Sequence, residues 1–514
     1  MTSLWEFNGG VRLDGHKTIT SEKPIVPANI PPLLILPLLQ HIGEPAEPIV
    51  EVGEKVLKGQ VIALCRRKNC RLLMSVPIHA PSSGTVVATE LRAIPHPSGL
   101  MAPCIMIETD GQDTWATRTP LTNYAALPPG IVRDHIARAG IVGLGGAGFP
   151  THIKLNSKNI DTLVINGAEC TSYLTCDDRL MREYPHEIVA GTQIIRHVLG
   201  SAKRCIIAVE DNKPAAYESL IEAAAGESVE IVQVPTIYPT GEERRLVQVL
   251  TGKEVGRTVL PTNFGTVVHN VETARAVYQA VQHGQPLLSR IVTVTGNGVE
   301  NPQNLEVLFG TPMHIIIDQC KRKSKIEKFI MGGPMTGFTL PNDEMPVIKT
   351  TNCLIVFSND EVETPVMPCI RCGACANVCP VNLLPQQLYW HIKANDLKKT
   401  QEYHLFECIK CGCCACVCPS NIPLVSYFRY AKTEIRAIER KRKKAEIAKQ
   451  RHEFRTFRLE RNKKEQANQS QQKMAQDKSK EALIQAAIER VKTKKENFKE
   501  EQPQRIAPTF NQFM

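Results

Sequence analysis

Residues 143–166 read GLGGAGFPTHIKLNSKNIDTLVIN, and this stretch decides how the middle of the chain folds. It joins a glycine-rich loop, with G-x-G-x-x-G at Gly143, Gly145 and Gly148, to the short apolar run DTLVIN (161–166). Such a run reads as a buried strand. Further on, RCIIAVED (204–211) and VEIVQVP (229–235) repeat the pattern, each after a helical stretch. Strands alternating with helices argue for a largely parallel sheet. In the other direction, IVRDHIARAG (131–140) has helical spacing and ends at Gly140, so a helix enters the glycine loop. A dinucleotide-binding unit would place a strand there and an acidic residue about 20 positions on. What favours a phosphate site is Pro150, suited to the first turn of a helix whose N-terminus faces an anion, with Lys154 one turn along.

Outward from this core, residues 1–125 read as short strands and turns. PIVEVGEKVLKGQVIA (48–63) and VPIHAPSSGTVVA (76–88) are each strand, glycine-bearing turn, strand, as in a small β-sandwich. The phrase is similar to biotinyl and lipoyl domains, but no lysine sits at the turn Ala80–Gly84, so a scaffold or docking role is expected. A strand-rich segment runs from RIVTVTG (290–296) to MGGPMTGF (331–338). The reading is therefore multidomain α/β in five parts: 1–125 β-rich, 126–285 α/β, 286–350 strand-rich, 351–430 cysteine-rich and 431–514 a basic tail.

The 514 residues suffice for about three to four domains. Hydrophobic residues at 42% and charged ones at 22% exclude a largely disordered chain. The net charge of +10 belongs to the tail: 431–514 holds 23 Lys+Arg against 12 Asp+Glu, while the rest holds 39 against 40. A basic globular surface for nucleic acid is thereby disfavoured, and no nucleic-acid partner is expected. The apolar stretch 30–43 is interrupted by Pro31, Pro32 and Pro37 and is far short of a bilayer span of about 20 residues. The opening MTSLWEFNGG lacks the features of a secretory signal, so a cytosolic setting is expected. The 18 cysteines then read as metal ligands or core residues rather than disulfides. The tail is helical by propensity, and its Gln-, Lys- and Asn-rich end is expected to be partly disordered.

Two runs have the form C-x2-C-x2-C-x3-C-P: Cys369, Cys372, Cys375, Cys379 before Pro380, and Cys408, Cys411, Cys414, Cys418 before Pro419. A [4Fe–4S] cube needs four thiolates; three come from the tight loop, and the fourth ligates the other cluster. One cluster is therefore assigned Cys369, Cys372, Cys375 and Cys418, the other Cys408, Cys411, Cys414 and Cys379. Cys413 and Cys416 are read as non-ligands. Structural zinc also uses paired C-x2-C, but has no need of a third cysteine and a fourth before proline, twice over. LLPQQLYW (383–390), between the runs, looks helical, so the module is of the helical dicluster type. Two adjacent clusters make a one-electron wire, which implies a donor and an acceptor.

Three further segments accompany the loop. NGAEC (166–170) puts Asn166 and Glu169 at a strand end, where α/β proteins bind ligands. YPTGEERRL (238–246) offers Glu242 and Glu243, and HNVETA (269–274) offers Asn270 and Thr273. Together with GLGGAGFPTHIK these resemble the NADH- and FMN-binding flavoprotein subunit of respiratory complex I. With the β-rich N-terminal part, MGGPMTGFTLP (331–341), LLPQQLYW and the doubled cysteine run, residues 5–430 resemble more closely the C-subunit family of Rnf (Rsx) ion-translocating electron-transport complexes.

The resemblance implies FMN, NAD(H), two [4Fe–4S] clusters and a Rossmann-like flavin domain. It also implies a barrel-sandwich N-terminal domain and a β-grasp, soluble-ligand-binding-like module at 286–350. It implies a peripheral subunit on the cytoplasmic side of a bacterial inner membrane. Its partners would be integral-membrane and ferredoxin-like subunits, NADH, and ferredoxin or another low-potential carrier. Carried over by motif, Gly143, Gly145, Gly146 and Gly148 with Lys154 would cradle FMN. Asn166, Glu243 and Asn270 would hydrogen-bond it, and Phe149 and Glu242 would lie toward the nicotinamide nucleotide, with Glu169 and Thr273 in the same motifs. No protein residue is expected to be catalytic in its own right, since the cofactors carry the hydride and electrons. The family's Cys-Glu-Pro is here Cys170-Thr171-Ser172, and in complex I relatives that glutamate faces the nucleotide. Two other readings remain: a soluble NADH–ferredoxin oxidoreductase or diaphorase subunit, and a flavin-free electron relay.

Overall fold

The structure, a computed structural model, describes residues 4–65, 74–256, 259–358 and 365–500. It forms two compact units, Met1–Lys432 and Thr433–Met514.

At the N-terminus, strands Leu33–Pro37, Met101–Thr109, Gly84–Ala93 and Lys55–Val56 form an antiparallel sheet in that order. Glu47–Pro48, Val61–Leu64 and Ile78–His79 form a second. Leu34, Leu36, Val86, Ile105 and Ile107 are fully buried in its core. The turn at Ala80–Gly84 is pinned rather than presented. Ser82 Oγ donates to Asp113 at 2.7 Å and Ser83 Oγ to Asp110 at 2.7 Å. A Cβ on Gly84 would lie 2.1 Å from the Glu108 carbonyl oxygen. This turn cannot swing a cofactor.

The central sheet is wholly parallel, in the order Glu230–Val234, Arg204–Glu210, Thr162–Gly167, Thr266–Asn270. Its strands are continuous apolar runs because helices cover both faces. Helices Pro185–Leu199 and Val271–His283 pack so closely that a Cβ on Gly191 would meet the Ala274 carbonyl oxygen at 1.9 Å. The glycine loop precedes the first strand, after helix Pro129–Arg138. One expectation is corrected here: Pro150 lies just before the helix that follows, and that helix is a single turn, Thr151–Lys154.

The third sheet has six strands in the order Val26–Pro27, Gln303–Leu308, Ser289–Thr295, Cys353–Ser358, Ile326–Met331, Phe338–Leu340. It reaches beyond the boundary expected at 350. CLIVFS (353–358) is almost wholly buried, pairing parallel with Ser289–Thr295 and antiparallel with Ile326–Met331. A run so apolar belongs in mid-sheet, and Val26–Pro27 joins the edge from far away in sequence.

The cysteine-rich region carries short helices Ala374–Asn377, Pro385–Lys393, Leu397–Glu402 and Cys413–Cys416. The N-terminal segment is a strap across these domains, which periodicity does not reveal. Trp5 N donates to Val249 O (2.9 Å), Gly10 N to Val378 O (3.0 Å), and Val11 and Tyr238 exchange backbone hydrogen bonds.

Helix Leu424–Glu500 runs for 77 residues. The Gln-, Lys- and Asn-rich stretch, expected to be partly disordered, is helical as far as Glu500; residues 501–514 lie outside the described residues. No Gly or Pro interrupts it, and i,i+4 pairs such as Lys449–Glu453 and Arg461–Glu465 support it. Among the described residues no helix is long and apolar enough to cross a membrane.

Candidate functional site

At the carboxyl ends of the parallel strands lies a cavity of about 220 Å³. Gly145, Asn166, Glu169, Cys170, Asp177, Tyr238, Glu242, Asn270 and Cys411 are among its lining. It opens beside a larger cavity of about 650 Å³, lined by Gly145, Gly146, Ala147, His41, His96 and the loop 331–338. Gly145, Thr171, Leu174, Thr336 and Asn352 line both.

The glycine loop closes on itself. Gly143 N donates to Phe149 O (2.8 Å) and Gly148 N to Gly143 O (3.2 Å), leaving Gly145, Gly146 and Ala147 exposed at its tip. Thr273 anchors the loop: its Oγ1 accepts from Leu144 N at 2.9 Å. Buried Arg290 holds the loop from below, donating to Leu144 O at 3.0 Å and to Glu272 at 2.8 Å. Nothing lies within 4 Å of a Cβ placed on Gly146, whereas one on Gly145 would lie 3.3 Å from Asn270 Cβ. A side chain at 145 would crowd Asn270, so with glycine at 145 and 146 the tip presents bare backbone to the cavity.

Six of the residues singled out by motif stand in the two linings: Gly145, Gly146, Asn166, Glu169, Glu242 and Asn270. Gly143, Gly148, Phe149 and Thr273 do not; they shape or hold the loop. Lys154 and Glu243 are also outside, because Lys154 Nζ donates to Glu243 Oε1 (2.7 Å) and Val268 O (2.9 Å). Asn166 spans its turn, donating to Gly241 O (3.0 Å) and accepting from Ala168 N (3.0 Å). Glu242 caps helix Glu243–Thr251, accepting from Arg244 N and Arg245 N, and burial raises its carboxyl.

Glu169 is buried in a charge network. Lys213 donates to it at 3.1 Å, Lys17 from the strap lies 3.8 Å away, and Asp177 N donates to it at 2.9 Å. Burial opposes the Glu169 charge, but Lys213 and then Lys17 hold its carboxyl below the usual range. Burial, then Glu210, pushes the Cys170 thiol up to about 12, so Cys170 stays a thiol. Gly241 N donates to its sulfur at 3.3 Å. Cys170 and Tyr238 are cavity residues that fall within the NGAEC and YPTGEE motifs without being singled out, whereas Asp177, in the first turn of helix Cys176–Glu183, falls in none of the motifs.

The cysteine runs interleave. A cavity of about 20 Å³ is lined by Cys369, Cys372 and Cys375 together with Cys418 from the other run. Cys379 is buried, and its thiol feels Cys411, as Cys408 and Cys414 feel Cys379. Cys413 is buried with its sulfur toward Tyr238 O (3.9 Å), and Cys416 is exposed. Tyr238 ties the two regions: its hydroxyl donates to Cys411 O at 2.5 Å, and both residues line the smaller cavity.

Residues 5–112 match the family model described as the RnfC barrel sandwich hybrid domain, 136–279 the Nuo51 FMN-binding domain, and 368–422 the 4Fe-4S dicluster domain. The C-subunit of the ion-translocating oxidoreductase complex of Pectobacterium atrosepticum is 44% identical over 499 residues, covering 96% of this chain and 71% of that protein. The chain belongs to this C-subunit family. Its counterpart in Edwardsiella ictaluri is 46% identical over 500 residues (96% of this chain, 62% of that protein). That of Vibrio cholerae serotype O1, strain El Tor Inaba N16961, is 44% identical over 505 (96% and 64%). The chain thus spans about three fifths of the length of these last two relatives. An NAD+-reducing [NiFe]-hydrogenase in its H2-reduced state is a distant structural neighbour, with TM-score 0.43, 21% identity, and 62% of this chain and 63% of that one covered. The chain thus joins a barrel-sandwich domain, an FMN-binding domain and a 4Fe-4S dicluster domain in one mixed α/β protein.

Proposed function

We propose that this chain is a peripheral, cytoplasmic-side subunit of a membrane-bound ion-translocating complex, exchanging electrons between NAD(H) and ferredoxin or another low-potential carrier through FMN and two [4Fe–4S] clusters. The observation that carries the reading is the shared wall: one cavity is lined both by Asn166, Glu242 and Asn270 and by Cys411, with Tyr238 bridging to the cysteine's backbone.

The residues present fit the groups. The exposed tip Gly145–Ala147, free of side-chain bulk at 145 and 146, and the polar strand ends Asn166 and Asn270 form the flavin's bed. The adjoining 650 Å³ cavity has room for the nicotinamide nucleotide beside it. Thr171, at the junction of the two cavities, places a neutral side chain where relatives carry a glutamate. Cys369, Cys372, Cys375 and Cys418, which line one small cavity, would hold one cluster, and Cys408, Cys411, Cys414 and Cys379 the other. Bound FMN supplies the conversion of a two-electron hydride step into single-electron steps. The protein's part is placement: the Arg290–Thr273 clamp fixes the loop, and burial around Tyr238 and Cys413 keeps water from the gap. Cys411 of the second run lines the flavin cavity and Cys372 of the first run is exposed, so the second run would face the flavin and the first the protein surface.

On this reading the chain keeps five parts, with strand Cys353–Ser358 assigned to the third, β-grasp-like module whose sheet it joins. Ion movement is then the part of partner subunits. The test is anaerobic titration of the purified chain with NADH. Bleaching of the flavin followed by electron paramagnetic resonance signals of reduced clusters is expected. Flavin reduced by dithionite but indifferent to NADH would remove nicotinamide nucleotides from the account.

A further inference from the structure

Three carboxyl groups stand close together at the smaller cavity: Glu169 just beyond the end of one strand and Asp177 in the first turn of helix Cys176–Glu183 both line it, within 4.8 Å of each other, and Glu272 in the first turn of helix Val271–His283 acts on Asp177 from beside them. Two have cations. Glu169 pairs with Lys213 and Lys17, and Glu272 with Arg290 at 2.8 Å. Among the described residues no ion pair joins Asp177 to a cation. Its one hydrogen-bonding side-chain neighbour is an amide, Asn270 Nδ2, which donates to Oδ2 at 2.7 Å. Asp177 itself lines the cavity.

We propose that Asp177 is a neutral carboxylic acid that donates a hydrogen bond to the occupant of this cavity, with Asn270 fixing the orientation of the carboxyl. The inference rests on the reading of the cavity as the flavin site and names a residue that no motif assigns. An ionised carboxyl held among Glu169 and Glu272 would face two like charges, and protonation removes that repulsion. Burial first, then Glu169 and Glu272, pushes this carboxyl up to about 8; the Asn270 bond and Arg290 act the other way and are weaker. The charged and titratable groups facing Asp177 are Glu169 from the strand end, Glu272 from the helix across the loop, Arg290 from Ser289–Thr295, and the neighbouring Cys176 thiol, itself pushed up by burial. With the carboxyl oriented by Asn270 at Oδ2, the O–H remains to meet a carbonyl or ring nitrogen of a heteroaromatic ligand.

The experiment compares full-length wild type with Asp177→Asn and Asp177→Ala, purified anaerobically, with iron content as the check on folding. Infrared difference spectra between D177N and wild type read the protonated-carboxyl carbonyl stretch directly. The band is expected in wild type at pH 7, fading as the pH rises through about 8, and absent from D177N. FMN added to flavin-depleted protein reads the donor role. D177N, which keeps an N–H donor, is expected within about threefold of the wild-type Kd, and D177A about tenfold weaker. No carbonyl band at pH 7, or FMN affinity equal in all three proteins, overturns the proposal. So does loss of FMN by D177N to the same degree as D177A. If wild type itself takes up no FMN, the flavin reading fails, and the donor role toward it falls too; the infrared band alone then reports whether the acid is protonated.

Discussion

Replacing Glu272 by alanine should be among the most damaging single changes in the flavin domain. Its carboxylate accepts from Arg290 at 2.8 Å and from Ile291 N at 2.6 Å, and the two side chains are only 5% and 1% exposed. The substitution leaves a buried guanidinium without its counter-charge and an amide without its acceptor. Breaking a buried pair from one side costs about 3–5 kcal/mol, and the orphaned amide falls within that range rather than adding to it. A multidomain protein gives no single unfolding free energy, so the assay is native-state hydrogen exchange of strand Ser289–Thr295. At about 1.4 kcal/mol per tenfold, its opening should rise roughly a hundred- to several-thousand-fold. Because Arg290 also carries Leu144 O, flavin retention should fall with it. The double variant E272M/R290M removes both charges and should recover most of the protection, since an apolar pair can replace a buried ion pair at little cost. Exchange within about threefold of wild type in E272A, or no recovery in the double variant, would refute the reasoning.

Three other outcomes follow from the same geometry. Cys379→Ser should damage the cluster of Cys408, Cys411 and Cys414 while sparing that of its own run; selective loss of the other cluster's paramagnetic signal would show the interleaving wrong. Lys349, buried with Nζ donating to Gly140 O at 2.7 Å and, among the described residues, no carboxylate as ion-pair partner, is lowered by burial to about 7. Its folded-state value lies below its unfolded one, so the folded state binds fewer protons between about pH 7 and 10.5, and stability should rise across that window. K349M should flatten the rise, and thermal melts from pH 6.5 to 9.5 that are identical in the two proteins would count against it. Truncation after Glu439, beyond which described residues are exposed, should leave iron and flavin content unchanged but reduce co-sedimentation with anionic vesicles; equal co-sedimentation would make the tail a solvated helix only.

The parts of the fold legible in sequence are those whose signal is local. DTLVIN, RCIIAVED and VEIVQVP are strands because a parallel sheet buries both faces, and buried faces write themselves as apolar runs. The cysteine spacing is local in the same way, and the structure gathers Cys418 with Cys369, Cys372 and Cys375 around one small cavity. What stays hidden depends on distant or backbone partners. The first part of the strap, residues 5–11, is held through main-chain hydrogen bonds to Val249, Val378 and Tyr238, which leave no side-chain pattern, and Lys17 further along meets partners more than 150 positions away. CLIVFS reads as the start of the cysteine-rich segment because its parallel sheet partners lie 60 positions back. Motif marks Lys154 and Glu243 separately, and only the fold shows each meeting the other. Asp177 carries no mark in the sequence because a Cys-Asp-Asp opening to a helix is ordinary; its distinction is the company of Glu169 and Glu272, set by three different elements.

The central claim is that one chain holds a flavin and two clusters across a shared wall, and counting them tests it most directly. Anaerobic purification followed by iron, sulfide and acid-extractable flavin analysis should yield about eight irons, eight sulfides and one FMN per chain. Eight irons with no flavin, even after reconstitution with FMN, would leave an electron relay and contradict the account of the glycine loop and its cavity.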